Sequence, residues 1–280
     1  SAITSSTGLI RNPFPRLGLV DGPGYRQPKG TLNSIMATRG CPHNCKFCCV
    51  TRMYGKGFRM RPVDEVIAEL NLLNDEPIVF ADDNLIGNPR YAKELFKAMI
   101  PLKKTWGAQL SIKIADDLEL LKLAKESGGF SFLFGFESIN KDNIEDMNKG
   151  SVNNVKKYEE CIKIVHDHGF QVVGSFIIGL DHDDENSFDE LYEFIVNNDV
   201  DIPFVNIFTP LPGSDLFETY KKQDRILTYD WARYNWNHVV SKPKKMTPEQ
   251  LQEGYDNLQK RLYPYIVKKA MERQRKARKN

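Results

Sequence analysis

Between residues 31 and 208, short runs rich in β-branched and aromatic residues alternate with longer segments of helical apolar period. A chain patterned this way buries its strands as parallel βα units. The strand-like runs are residues 31–37, 78–81, 108–114, 130–136, 172–178 and 200–208, and the helical segments between them are 63–74, 91–100, 118–127, 155–168 and 187–197. Val63, Val66, Ile67 and Leu70 share one face of the first helical segment, which Pro62 opens, and Gly169 is placed as the C′ glycine of the fourth. Six strands with crossover helices predict an α/β fold, a (β/α)6 partial TIM barrel. A chain of 280 residues with 41% apolar content can bury one such core undivided. The expected division is a linker-like segment at 1–29, the barrel at 30–217 and a C-terminal helical extension with a basic tail at 218–280. Active residues in such a fold belong at the C-terminal ends of the strands.

The loop after the first strand reads Arg39-Gly-Cys-Pro-His-Asn-Cys-Lys-Phe-Cys48. Cys41, Cys45 and Cys48, in Cys-x3-Cys-x2-Cys spacing, offer three thiolates to an iron–sulfur cluster and no fourth. A 4Fe-4S cluster normally takes four Cys, so three leave one iron open to a small molecule. Structural zinc would need a fourth donor from His43 or Cys49, and Cys49 follows Cys48 directly and would strain to reach the same metal. Five Cys, four of them within nine positions, is a reduced, metal-binding usage rather than a disulfide framework. Cys161 stands alone in a helical stretch and reads as a buried, inert thiol.

Polar residues fall where the other strands end. Asp82, Asp83 and Asn84 follow the second, and their blander reading is a solvated turn or helix cap before Pro89. Gln109, Ser111 and Lys113 alternate with Leu110 and Ile112, which puts three polar side chains on one face of the third strand, although Lys113 can instead snorkel at the rim. Glu137 follows six mostly apolar residues and is costly there without a partner, unless it caps the next helix.

The run Cys41-Pro-His-Asn-Cys45-Lys-Phe-Cys48, with an aromatic just before the third Cys, resembles the signature of the radical S-adenosylmethionine (SAM) enzymes. The resemblance extends over about residues 30–217. It implies that Cys41, Cys45 and Cys48 hold a 4Fe-4S cluster whose open iron is chelated by the amino and carboxylate groups of SAM. It also implies reductive cleavage to a 5′-deoxyadenosyl radical that abstracts hydrogen from an unactivated carbon. Asp82, Asp83 and Asn84 would stand in for the family's Gly-Gly-Glu grip on the methionine ammonium. Ser111 would meet the ribose or methionine moiety, Lys113 the methionine carboxylate and Glu137 the ribose hydroxyls. Adenine would lie against the main chain at Phe47 and against Ile178, Gly179 and Pro210. The chain departs from the family pattern at residues 181–184, where acids replace the usual Gly-Glu turn.

The segments Phe80-Ala-Asp-Asp-Asn-Leu-Ile-Gly-Asn88, Gln109-Leu-Ser111 and Gly135-Phe-Glu-Ser-Ile-Asn140 resemble the branch of that family with an upstream cobalamin-binding domain, hopanoid methylases among them. Residues 13–25 resemble the linker of that branch. Nothing before residue 30 is long enough to build the cobalamin module, and the chain opens on Ser1 rather than Met, as a fragment or processed chain would. Cobalamin would therefore come from a missing domain or a separate corrinoid protein, and with it methyl transfer to carbon. Without it, rearrangement, dehydrogenation or carbon–carbon coupling is equally allowed. The resemblance further implies a one-electron reductant such as flavodoxin or ferredoxin and a small-molecule or lipid-like substrate.

A net charge of +2 argues against any general attraction to nucleic acid or membrane, and no apolar run approaches the ~20 residues that span a bilayer. With no visible signal peptide, the expected compartment is the cytoplasm. Residues 229–236, with Trp231, Tyr234 and Trp236, read first as packing on the barrel's open side and second as lining the substrate mouth. Thr247 opens a long helix with capping-box features, and residues 268–279 carry seven basic residues against one acid, the pattern of a solvated terminus. Two rival readings remain: a non-catalytic iron–sulfur or zinc sensing module, and RNA modification, which only the basic tail favours.

Overall fold

The computed structural model describes residues 32–55 and 57–277. The linker-like resemblance of residues 13–25 and the last of the basic tail lie outside them. Along the first half run β1 (Asn33–Ile35), β2 (Thr38–Arg39), α1 (Val50–Tyr54), β3 (Arg59–Met60), α2 (Val63–Leu72), β4 (Ile78–Phe80), α3 (Pro89–Met99), β5 (Trp106–Leu110), α4 (Leu118–Glu126) and β6 (Gly129–Glu137). The second half holds α5 (Lys141–Asp146), α6 (Tyr158–Asp167), β7 (Gln171–Ile178), α7 (Ser187–Asn197), β8 (Ile202–Ile207), α8 (Asp215–Lys222) and α9 (Pro248–Ala277).

The strands β1-β4-β5-β6-β7-β8 form one sheet in that order, parallel throughout, with helices in the crossovers. This is the α/β partial barrel that the alternation predicts. Side chains on one face, including Ile78, Phe80, Trp106, Phe132 and Phe176, share a core with Leu95, Phe96, Leu121 and Tyr158 from the helices. Each fully buried Phe contributes about 2–3 kcal/mol. Trp106 sits 4.9 Å from Phe96 and 5.3 Å from Phe132 between ring centroids, and its indole N–H donates to the Ser127 carbonyl at 3.1 Å, so this buried donor is satisfied. The other face is left open, with Val79 39% and Phe204 54% exposed, so the interior is not packed shut as in a closed eight-stranded barrel.

β5 ends at Leu110, four residues before the end of the run that sequence alternation marks. The Asn84 side chain accepts from the Ser111 N–H at 3.1 Å, and the Ser111 hydroxyl accepts from the Lys113 N–H at 3.3 Å, turning residues 112–116 into a 3-10 segment. Lys113 therefore does not share a strand face with Gln109. A two-stranded antiparallel ribbon, β2–β3, brackets the cysteine loop.

At the far edge, β8 is covered rather than left bare. The Ile207 N–H donates to the Trp236 carbonyl at 2.7 Å, and Gln259 of α9 donates to the Val205 carbonyl at 3.0 Å. Residue 236 contacts that edge through its backbone carbonyl, and its side chain is half exposed. Trp231 and Trp236 remain at least half exposed, which corrects the packing expectation for them, whereas Tyr234 is half-buried, its ring 4.9 Å from that of Trp231 and its hydroxyl donating to the Thr228 carbonyl at 2.8 Å. The capping box is present as read: the Thr247 hydroxyl accepts from the Gln250 N–H, while the Gln250 side chain accepts from the Thr247 N–H. Leu251, Tyr255, Leu258 and Leu262 then bury one face of α9. Among the described residues no helix is long and apolar enough to cross a membrane.

Candidate active site

The chain leaving β1, β4, β5 and β6 converges on one cavity of about 230 Å³. Cys41, Cys45 and Cys48 line it together with His43 and Phe47 from the same loop, Asp83 and Asn84 beyond β4, Ser111 beyond β5, Glu137 at the end of β6, and Lys149 and Asn153 from the chain after α5. The loop is held at its centre. The Lys46 N–H donates to the Met147 carbonyl, the Lys46 carbonyl accepts from the Leu216 N–H, and the Asn148 side chain donates to the Asn44 carbonyl at 2.8 Å. Phe47 packs with the apolar cluster of Met147, Leu180 and Phe208, which brings the chain beyond β7 and β8 beside the loop.

All three thiols are free and partly buried. Burial pushes each above the ordinary thiol range, Cys45 to about 11, while the Lys149 ammonium opposes the rise at Cys41 and Cys45. Cys49 points elsewhere, its thiol 3.5 Å from the Pro212 carbonyl, and Cys161 is buried in α6 with its thiol raised to about 11 by burial.

Glu137 and Lys149 form the polar heart of the cavity. The Lys149 ammonium lies 2.5 Å from the Glu137 carboxylate, donates to the Gly135 carbonyl at 2.8 Å and sits 5.7 Å from the centre of the Phe47 ring. Glu137 has φ +64°, in the left-handed region, at a register shift between β6 and β7. A non-glycine residue held there at a bulge re-aims its side chain at a local cost of order 1–3 kcal/mol. Gly135 makes the arrangement feasible, because a Cβ there would meet the Glu137 carboxylate and lie 2.8 Å from the Lys149 ammonium. Asn153 and Tyr158 donate to the Phe136 carbonyl at 2.9 Å each, fixing the bulge from behind. Glu137 does not cap the next helix; Asn140 does.

The other expected residues divide. Asp83, Asn84, Ser111 and Phe47 line the cavity, and Asp83 also accepts from the Gly40 N–H at 3.1 Å. Asp82 is buried behind it, accepting from the Ala37 and Thr38 N–H groups and the Thr38 hydroxyl, and burial raises its carboxyl to about 6. Asn88, rather than either aspartate, caps α3. Lys113 is exposed outside the lining. Ile178, Gly179 and Pro210 are also outside it: Gly179 has φ +90°, and a Cβ there would come within 2.6 Å of Leu251 on α9. Lys149 and Asn153 were not legible as site residues. The one available signal was that Glu137, following an apolar run, required a partner.

The donor set suits a 4Fe-4S cluster. Three thiols line one cavity, a soft donor set of the kind that holds an iron–sulfur cluster. A carboxylate (Asp83) and an ammonium (Lys149) on the same walls suit a zwitterionic ligand bearing one amino and one carboxylate group.

Comparisons with known proteins bear on the family and the fold. The family described as the radical SAM superfamily matches residues 35–195. The chain is 37% identical over 238 residues to bacteriochlorophyllide d C-12(1)-methyltransferase of Chlorobaculum tepidum, covering 83% of this chain and 52% of that one. It is 27% identical to hopanoid C-2 methylase of Rhodopseudomonas palustris, covering 81% and 44%. Its fold is similar to that of the radical SAM methyltransferase TsrM from Kitasatospora setae, solved with cobalamin and a [4Fe-4S] cluster, with a TM-score of 0.61 at 13% identity over 71% of this chain and 41% of that one. The chain spans about half the length of the curated relatives it matches.

Proposed function

The chain belongs to the radical SAM superfamily, and from that premise we propose that it is the catalytic barrel of an enzyme that methylates an unactivated carbon of a small-molecule or lipid-like substrate. The observation that carries this reading is the convergence of Cys41, Cys45 and Cys48 on one cavity with Asp83, Glu137 and Lys149. When bound there, a 4Fe-4S cluster and SAM supply one-electron cleavage to methionine and a 5′-deoxyadenosyl radical.

The chain's own residues bind and orient. The three thiolates hold the cluster and leave one position free. Asp83 takes the methionine ammonium and Lys149 the carboxylate, each meeting its opposite charge inside a partly buried cavity where such hydrogen bonds are strongest. Glu137, kept in place by Lys149, faces the ribose hydroxyls, with Ser111 and Asn84 on the neighbouring wall. Phe47, which lines the cavity, is assigned to the purine, whereas Ile178, Gly179 and Pro210 lie outside the lining and are assigned to it by the family resemblance alone. The ring of Phe47 and the apolar cluster behind it keep water from the reacting atoms, as a carbon radical requires. The names of the methyltransferase relatives support methyl transfer. Cobalamin would enter from a segment or partner beyond these residues, and the cluster's electron from an external one-electron carrier.

The test is anaerobic reconstitution with iron and sulfide, reduction with dithionite, addition of SAM and assay of 5′-deoxyadenosine beside a Cys45→Ala control. Deoxyadenosine from the unaltered chain alone supports the reading. A bound cluster with neither SAM binding nor cleavage would favour the non-catalytic sensing alternative.

A further inference from the structure

Between Ile226 and Met246 the chain forms a strap whose backbone is tied down while its side chains are left in solvent. The Leu227 N–H donates to the Val240 carbonyl at 2.9 Å, the Lys242 N–H to the Arg225 carbonyl at 2.8 Å, and the strap's Trp236 carbonyl holds the Ile207 N–H at the end of β8. Arg225 pins both legs together, donating through Nε and a terminal nitrogen to the Lys242 carbonyl at 2.9 and 2.7 Å while Asp181 holds its guanidinium. Yet the crest of the strap, residues 227–238, buries none of its side chains. Leu227 is 41% exposed, Tyr229 52%, Trp231 57% and Trp236 50%. Ring centroids of Tyr229 and Trp231 lie 6.0 Å apart, and Trp231 and Tyr234 4.9 Å, so three of the rings make one platform. Tryptophan is a mostly buried residue type, and this chain places two of its three on the crest. Large rings held outward by an anchored backbone mark an interaction surface.

We propose that this crest seats on the surface of an anionic lipid bilayer, with Tyr229, Trp231 and Trp236 entering the boundary between headgroups and acyl chains. Tyrosine and tryptophan carry an apolar body and a polar tip, which suits a layer that is apolar on one side and wet on the other. Charge points the same way: the strap holds Arg233, Lys242, Lys244 and Lys245 against one acid, Asp230, whose carboxylate accepts from the Ala232 N–H at 3.1 Å. Lys244 is committed to Asp181 at 2.7 Å, but among the described residues no ion pair takes up Arg233, Lys242 or Lys245. Two exposed acids border the strap. Lys242 donates to the Asp224 carbonyl, and Asp256 accepts from Gln252, which also donates to the Asn237 carbonyl. The cationic excess is therefore small, and the rings carry most of the attachment, in keeping with a nearly balanced whole chain. The inference goes beyond the function proposed above but shares its lipid-like substrate. Ile207 ends β8, so the crest is fixed at the end of the barrel that holds the cavity, and Phe204 of the same strand is exposed on the open face. A lipid-like molecule leaving the bilayer at the crest would reach the open side of the barrel with little passage through water.

The two crest tryptophans are also the reporters, since Trp106 is fully buried. The experiment titrates the protein with mixed vesicles of phosphatidylcholine and phosphatidylglycerol, reads tryptophan emission, and repeats the series with brominated phosphatidylcholine. The emission should move to shorter wavelength and be quenched by the bromine. Trp231→Ser with Trp236→Ser should weaken vesicle co-sedimentation by about tenfold with Tm unchanged. Arg233→Gln should weaken it by about threefold, an effect that added salt erases. Co-sedimentation without any change in emission or bromine quenching would assign binding to the basic residues 268–279 and overturn the proposal. So would a failure to bind vesicles, and a concentration-dependent dimer lost in the double tryptophan variant would then give the crest to a second copy of the chain. If that variant fails to fold, bromine quenching of the unaltered protein still decides. Vesicle binding without deoxyadenosine formation in the dithionite assay would count against the function proposed above and leave the membrane surface standing.

Discussion

The two ends of the barrel both bury charge, and they treat it oppositely. Below the N-terminal ends of β7 and β8, Asp201 accepts from the His166 ring at 2.9 Å and the Val172 N–H at 2.9 Å, and Lys269 reaches across from α9 to Asp199 at 2.6 Å. Arg273 donates to the Asp201 carbonyl, and Tyr265 to the Val200 carbonyl, at 2.8 Å each. Every charge there is met by another part of the chain, so the cluster ties α9 to the sheet. At the C-terminal ends, Lys149 and Glu137 are paired but also line a cavity, Asp83 faces the same space, and three thiols stand among them. Charges that close on themselves hold a fold together, whereas charges left facing a cavity are placed for a ligand.

The sharpest break in that contrast would come from replacing one lysine at each end. Lys149→Met should lower SAM cleavage about a hundredfold, the scale of losing one preorganised charged donor, with the folded state retained. Lys269→Met should leave cleavage in place and cost about 1–3 kcal/mol of stability in urea unfolding. If Lys149→Met instead behaved as Lys269→Met does, the cavity charges would be structural. A smaller effect is expected from Gly135→Ala, whose methyl group must displace the Glu137 carboxylate or the Lys149 ammonium. SAM affinity should fall about tenfold with little change in Tm, as measured by equilibrium binding beside a melting curve. The mildest effect concerns pH. Burial alone would raise the Asp201 carboxyl, but hydrogen bonds from His166 and Val172 and the nearby Lys269 charge hold it below its usual value. A depressed folded-state pKa gives stability that is present above the unfolded value near 4 and lost as pH falls below it. Unfolding titrations from about pH 6 to pH 3 should therefore show a shallower acid decline in Asp201→Asn than in the original chain.

How much the sequence disclosed varies along the same axis. The strand runs, Gly169 and the Thr247 capping box were legible because period and local hydrogen-bond chemistry act over a few residues. The end of β5 was not, since Gln109-Leu-Ser-Ile-Lys113 alternates like a strand and only the amide of Asn84, remote in sequence, stops the ladder. The β2–β3 ribbon was hidden because two-residue strands carry no period. In the cavity, the three Cys and the acids Asp83 and Glu137 were readable from their types at strand ends. Lys149 was not, because its burial depends on a bulge at Glu137 and on a glycine at 135, neither of which a linear pattern exposes.

The pinning of Lys46 has one further consequence. Its N–H and carbonyl bond to Met147 and Leu216, so the middle of the cysteine loop is stapled to two segments that lie far apart in the chain and contribute no thiol of their own. Anything that binds the ordered loop and not the unfolded chain stabilises all three segments together by mass action. Ligation at three sulfurs is thereby felt thermodynamically at the start of α8, so metal loading and the local unfolding of that helix form a single linked equilibrium.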